Sequence, residues 1–537
     1  MGKRTLIAIS IALAFADWQV ATAQQVKAAS ASASGSSQAV SSDAAPNSSP
    51  ISSPSATPDA ATSLAQASPP ATAAPAPSGS AAPGASTTSE GTSDLGTTVV
   101  TGLRASTGKS LDIKKNAPIV LDSINATELG RFPDDNVADS LSHITGISIT
   151  RTTGGEGQYV GVRGLGSQYN IVTLNGRQLA TDDDGRDLAF DVLPADVISG
   201  ADVLKSVQAS DVEGSIGGTV NLRSARPFDD PGFHAAFRAE DSYNDMSYFG
   251  GHKVSAFASN TSEDRTVGYL IGVVSSDTKT RTDALNYNTY DPDNPGVWPL
   301  TGPNSRPVVA ECCISFGSVI DEKRRDAISG TFEWRPDASF KLTVDALGTR
   351  LNDPQRAYNE AYYPDFAFDS NGNPEWSNVV VKNGVITSFR ANNFVPEIVN
   401  NTIDRVVNTS MIGTNAVWKA TPNLSFTSDI YRSAANRPEG GQDAFLAAGV
   451  GYSAATQGSI LNWTNTTGGL PDINVTLPNG MNYATALANG TLNNNSYWSP
   501  HYVGLSGYSI NDQILGGLVA GSYTTDWGYM DRIDFGI

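Results

Sequence analysis

Two stretches far apart in the chain repeat one pattern. FEWRPDASFKLTVDA (332–346) aligns with AVWKATPNLSFTSDI (416–430). In each, a tryptophan (Trp334, Trp418) closes a strand, a turn containing proline follows, and an alternating strand opens six positions after the tryptophan. Phe340, Leu342, Val344 and Ala346 fall on one face of the first strand, and Leu424, Phe426, Ser428 and Ile430 on one face of the second. Lys341, Thr343 and Asp345, and Ser425, Thr427 and Asp429, fill the opposite faces. Successive side chains of a strand point to opposite sides, so each strand has one apolar and one polar surface. Apolar and polar faces with aromatic rings at the strand ends are the pattern of a transmembrane β-barrel. A soluble sandwich alternates too, but the aromatic ends and the alternation of short turns with long polar connections favour the barrel. VGYLIGVV (267–274) and ILGGLVAGSY (514–523) fit the same pattern. The segments around 350–405 and 433–510, rich in Asn, Gly, Pro and Tyr, are too long for turns and are expected as outer loops.

The first 23 residues agree with this placement. Lys3 and Arg4 precede an apolar run, Leu6 to Ala16, and Ala21-Thr22-Ala23 supplies small residues for cleavage, as in a secretory signal. That run is too short to span a bilayer as a helix. The mature chain is therefore expected outside the cytoplasm, where membrane crossing by strands requires a closed barrel. Residues 24–96 are nearly all Ala, Ser, Pro, Thr and Gly and are expected to be a disordered tail, with too little apolar surface to offset the entropy of ordering. A net charge of -19 argues against a nucleic-acid partner. Two cysteines and four histidines show no metal-ligand spacing, so no metal or cofactor is expected. Cys312 and Cys313 are adjacent, expected in an outer loop, and able to form a vicinal disulfide. No pattern of nucleophile and base points to an enzyme.

Residues 105–228 read as a mixed α/β domain. IVLDSI, ISIT, ADVLKSV and TVNLRS are strands. PDDNVADSLSHITG is a helix with Asp134 or Asp135 as its cap, Val137, Leu141 and Ile144 on its buried face and Gly146 at its end. NIVTLNGRQLA is a hairpin turning at Asn175-Gly176. The glycines nearby do not make a nucleotide loop. Gly164 and Gly166 are followed by Tyr169 where a dinucleotide fingerprint needs a third glycine, and Leu103 stands where a phosphate loop ending in GKS (108–110) needs its first. TDDDGRD (181–187) looks like half a calcium loop, with Asp182, Asp184, Gly185 and Asp191 in step, but Ala180 stands at the first ligand position.

The order of segments resembles the N-terminal part of a TonB-dependent outer-membrane receptor. DNVADSLSHITGISITR resembles that family's first plug helix and strand, VGVRGLGSQYNIVTLNGRQL its Arg-Gly hairpin, and LPADVISGADVLKSVQASDVEGSIGGTVNLRSARPF the end of its plug. The tail and spacing look most like the subgroup common in Xanthomonas- and Caulobacter-type bacteria. The resemblance implies a plug at 105–228 inside an antiparallel barrel beginning near 233, of 22 strands in the family. About half of those are expected within 233–537, so the chain is expected to be an N-terminal piece of a longer protein.

The resemblance also implies a function: active uptake across the outer membrane, driven by TonB and its inner-membrane energising complex. Thr98, Val99, Val100, Thr101 and Gly102 would be the TonB box, an extended peptide adding a strand to TonB. Arg163, Glu213, Arg223 and Arg226 would be plug–barrel contacts, and Asp182, Asp183, Asp184 and Arg186 would meet substrate at the plug apex. Loops bearing Asn, Tyr and Trp favour a carbohydrate as cargo. An iron-siderophore is the alternative, and a non-transporting adhesin or porin is the competing class.

Overall fold

The computed structural model describes residues 98–126, 134, 136–289, 309–363, 376–438, 442–449, 458–466, 470–507 and 509–537. The expected leader and tail lie outside the described residues.

Residues 98–102 are not extended. They open an α-helix, α1 (Thr98–Asn116), whose last turn carries Lys114 and Lys115 against the negative end of the helix dipole. Before Ser106 only its backbone is described. The helix docks on strand β1 (Leu121–Asn125): Ser106 Oγ donates to the Asn125 carbonyl at 2.6 Å, and Asn125 Nδ2 donates to Ser110 Oγ at 2.8 Å. A β-branched run has only a weak strand preference, so its backbone can continue a helix whose later turns are docked.

Helix α2 (Val137–Ser142) buries Val137 and Leu141 completely and Ile144 nearly so. Its cap is Asn136 rather than Asp134 or Asp135; Asn136 Oδ1 accepts from the Ala138 and Asp139 amides. Asparagine wins here because its Nδ2 also donates, to Glu156 Oε1 and the Gly157 carbonyl, each at 2.9 Å. Asp134 instead accepts from Ser140 Oγ, and Asp135 lies outside the described residues. Strands β2 (Ile147–Arg151) and β3 (Gly157–Val162) form a separate hairpin. A five-stranded sheet runs β1-β6-β7-β4-β5, with β4 (Asn170–Leu174), β5 (Arg177–Gln178), β6 (Gly200–Leu204) and β7 (Gly218–Arg223). Asn175 and Gly176 take φ of 54° and 82°, the two positive angles the β4–β5 turn requires.

Among the described residues, nine strands then form an antiparallel wall in the order β8-β9-β10-β11-β12-β15-β16-β21-β22. They are β8 (His234–Asn244), β9 (Phe249–Thr261), β10 (Val267–Thr289), β11 (Val309–Trp334), β12 (Phe340–Tyr362), β15 (Glu397–Thr421), β16 (Leu424–Arg437), β21 (Ile510–Trp527) and β22 (Met530–Gly536). Tyr269, Ile271, Val273, Ile412, Ile430, Leu515 and Val519 are exposed on the outer face, and Trp334, Trp418, Tyr523 and Trp527 mark its short-turn end. Farther along β11 the outward side chains become charged: Asp326, Arg324 and Glu322 are 42%, 65% and 48% exposed. The strands are therefore longer than the ~10 residues a bilayer needs, up to 26 in β11, because their upper halves rise beyond the apolar band. Cys312 and Cys313 lie on the backbone of β11 rather than in a loop; their side chains lie outside the described residues. One apolar cluster joins the small domain to the wall: Leu141, Phe190, Val197 and Leu222 pack with Phe257, Leu347, Leu351 and Met411.

The long connections are not simple loops. β13 (Trp376–Lys382), β14 (Val385–Phe394), β18 (Ser459–Thr464), β19 (Asp472–Thr476) and α3 (Tyr483–Ala488) enclose a second core of Phe389, Phe394, Leu461, Trp463, Tyr483 and Leu492. β17 (Gln442–Gly449) and β20 (Ser499–Gly507) extend the top of β15.

Candidate functional site

The seam between the small domain and the wall carries the chemistry. Its lower tier centres on Arg177, 3% exposed, at the foot of the β4–β5 hairpin. Its guanidinium donates to Asp345 Oδ2 at 2.7 Å and, through two nitrogens, to both oxygens of Asp429 at 2.9 Å. Asp345 and Asp429 are the matching positions of the sequence repeat, each eleven residues after its tryptophan. Their alternation puts both on the polar face, and strand pairing sets β15 between them. On β15 the residue beneath the guanidinium is Gly413; a Cβ there would stand 2.5 Å from Arg177 Cζ. Arg226 reaches the other oxygen of Asp345.

The upper tier reverses part of this polarity. Arg405, on β15, donates to both oxygens of Asp182 at 2.8 and 3.0 Å and to Asp191 Oδ2 at 2.8 Å. The half calcium loop thus does bring Asp182 and Asp191 together, around a guanidinium. From β11, Arg325 pairs with Glu156 and donates to the Asp191 carbonyl, while Lys323 Nζ lies 3.4 Å from Glu156. Burial alone would raise Glu156, but Arg325 and Lys323 outweigh it and hold its carboxyl below the usual range. Lys253 pairs with Asp196 at 2.8 Å.

Of the four residues expected to touch the wall, only Arg226 does so. Arg163, at φ 57°, donates to the carbonyls of Ile216 and Gly217 inside the domain. Arg223 pairs with Asp202 and hydrogen-bonds Asn125, also inside. Glu213 is exposed, with no ion pair among the described residues. Arg177, Arg325, Lys323 and Arg405 were not expected. The first sat in a motif read only for its turn, and the others lie on strands whose register the sequence does not display. Of the apex candidates, Asp182 is 2% exposed and belongs to the seam. Asp183 accepts from Tyr159 Oη at 2.7 Å. Burial, with Asp182 close by, pushes Asp183 up, and burial plus the bond to Asp183 pushes Tyr159 up. Asp184 and Arg186 are exposed, and Arg186 donates to the Gly214 carbonyl.

Below, Asp122 accepts from Lys114 of α1 and from Lys205 Nζ at 2.6 Å. Burial would raise its pKa, but the two lysines override this and lower it. A depressed carboxylate stabilises the docked helix above its ordinary value of ~3.9 and loses that contribution as pH falls through its docked value. Acidification should therefore lower the amide protection factors in 106–116, whereas in Asp122→Asn they should be low already at neutral pH. An acid response surviving in that variant would assign it elsewhere.

Residues 113–219 match the family model for the TonB-dependent receptor plug domain. A search of curated proteins finds no match. Among solved structures, a mutant of the ferric enterobactin receptor of Pseudomonas aeruginosa is similar at 11% identity, covering 78% of this chain and 70% of that one, with a TM-score of 0.33. A siderophore receptor of Acinetobacter baumannii is similar at 11% identity over 79% and 81%, TM-score 0.24. The pyoverdine outer-membrane receptor of P. aeruginosa is similar at 9% identity over 79% and 78%, TM-score 0.28.

Proposed function

We propose that the chain is a TonB-dependent receptor, on the match of residues 113–219 to that family's plug domain, and that it takes up a solute across the outer membrane of a Gram-negative bacterium, with TonB drawing the plug from its seat. It acts as a transporter and not as an enzyme. The observation that supports this reading is the seam. A static stopper is best held by apolar packing, whereas this plug is also fastened by ion pairs of both polarities, with Arg177 reaching out and Arg405 reaching in. Such pairs hold while dry and exchange for water once opened.

TonB would take Thr98–Gly102 as an added strand, which requires the first turn of α1 to unwind. For the cargo we propose a carbohydrate, on the strength of the amide- and hydroxyl-rich long segments, with an iron-siderophore as the second reading. The rings do not support the choice: Trp463 and Tyr483 are 1% exposed inside the second core. The exposed apex pair, Asp184 and Arg186, is the remaining candidate for cargo contact. Uptake of labelled oligosaccharides and of ferric siderophores into energised cells tests this directly. Accumulation of a sugar that stops when the proton gradient is dissipated supports the carbohydrate reading. Accumulation of iron chelates alone replaces it with the second. Gradient-independent leakage of both would indicate a passive porin.

A further inference from the structure

The upper tier contains more carboxylates than its cations can serve. Asp321 on β11 and Asp353 on β12 are each 3% exposed and share one ammonium: Lys323 Nζ lies 3.3 Å from Asp321, 4.0 Å from Asp353 and 3.4 Å from Glu156. The other charges facing the pair are Arg325 on β11, Arg405 on β15, and Asp182 and Asp191 from the plug, both held by Arg405. Five carboxylates therefore meet three cations. Among the described residues, both oxygens of Asp321 and Oδ1 of Asp353 are buried without a hydrogen-bond partner, Lys323 reaching Asp321 as an ion pair at 3.3 Å. A buried carboxylate with no donor is costly, and two beside each other more so. A proton on one of them removes a charge and supplies the missing donor. The row lies beyond the apolar band, since its outward neighbours Glu322, Arg324 and Asn352 are exposed. Asp321, Lys323 and Arg325 border a cavity of about 630 Å³, also lined by Gly154 and Glu156, so a proton on Asp353 reaches water by way of Asp321. Burial first, and then Asp321, pushes Asp353 up against the pull of Lys323.

We propose that Asp353 carries a proton while the plug is seated, donating it to Asp321, and releases it to water when Glu156 withdraws. Once ionised, Asp353 would compete with Glu156 for Lys323 and repel it, loosening the plug loop 152–156. The carboxyl is raised in the seated state and ordinary in the released one. Its contribution to seating is complete below the ordinary carboxylate range and is lost as pH rises through the seated value. Alkaline conditions would loosen this latch and acid would set it. Plug movement is taken from the uptake cycle proposed above; seating itself is read without cargo or TonB, so the latch and the uptake reading fail separately.

Hydrogen exchange of the full chain in outer-membrane vesicles tests the latch. The Thr152 and Gly155 amides bond to the Glu156 and Thr152 carbonyls at 2.8 and 2.9 Å, so their protection reports the loop. In the wild type, protection factors should fall as pH rises from the ordinary carboxylate value of ~4 to about 8 and level off above it, with a limiting slope of about tenfold per pH unit for one proton. Asp353→Asn keeps a donor to Asp321 but cannot ionise, and should show high protection with no slope. Glu156→Gln removes the group that ionised Asp353 displaces, and should also show no slope. A wild type without a slope overturns the latch, as does either variant with the wild-type slope.

Discussion

Arg177→Ala is expected to destabilise plug seating by about 3–5 kcal/mol, the cost of breaking a buried ion pair from one side. The loss is large because the substitution leaves Asp345 and Asp429 charged at 4% and 13% exposure, with Asp345 still bonded to Arg226 but Asp429 deprived of its guanidinium. Urea unfolding followed through exchange of the β4–β5 hairpin gives the measurement. Adding Asp429→Asn should recover most of the loss, because the penalty lies in that orphaned charge, while Asp345 stays charged to keep Arg226 paired. Gly413→Val approaches the same seat from the wall. Its side chain would stand where the guanidinium now lies, so it should unseat Arg177 with every charge intact. A loss below about 1 kcal/mol in Arg177→Ala would mean that the pair is wet and screened, and that apolar contacts alone hold the plug.

Val100→Pro should reduce energised uptake to background while leaving α1 folded. Val100 lies in the first turn of the helix, where backbone N–H groups have no intrahelical acceptor and proline is tolerated. A strand added to TonB needs that N–H, so the same residue is harmless in one conformation and disabling in the other. Gly102→Ala acts in the opposite sense. It should favour the helix by roughly 0.5–1 kcal/mol and lower uptake by as much as about fivefold if unwinding limits the pull. Labelled-cargo accumulation with exchange at 106–116 as the folding control separates these effects. Wild-type uptake in Val100→Pro would remove residues 98–102 from the TonB contact.

The alternation around Asp345 and Asp429 was legible because period-two patterning is local. It showed that both carboxylates face away from lipid, but not that one arginine would lie between them. The expected contacts Arg163 and Arg223 were chosen for their place in motifs. In the fold their guanidinium groups satisfy the plug's own carbonyls and carboxylates, leaving none for the wall. The long segments read as outer loops because they are rich in Asn, Gly, Pro and Tyr and too long for turns. They form a second core because β14 pairs with β18 across some 70 residues and buries Phe389 against Trp463.

The sequence by itself determined what depends on neighbours along the chain: strands with one apolar face, aromatic rings at their ends, the Asn175-Gly176 turn, and the apolar stripe of Val137, Leu141 and Ile144. Only the tertiary structure decided which charges meet. Arg177 and Asp429 are 252 positions apart, and Arg405 and Asp182 are 223 apart. No spacing encodes such a meeting; it is set by strand register and by the apolar cluster that packs plug against wall. The helix that residues 98–102 open continues to Asn116, and it is Ser106 and Ser110 that hydrogen-bond Asn125 on β1, a meeting that no local pattern in the run Thr98–Gly102 encodes.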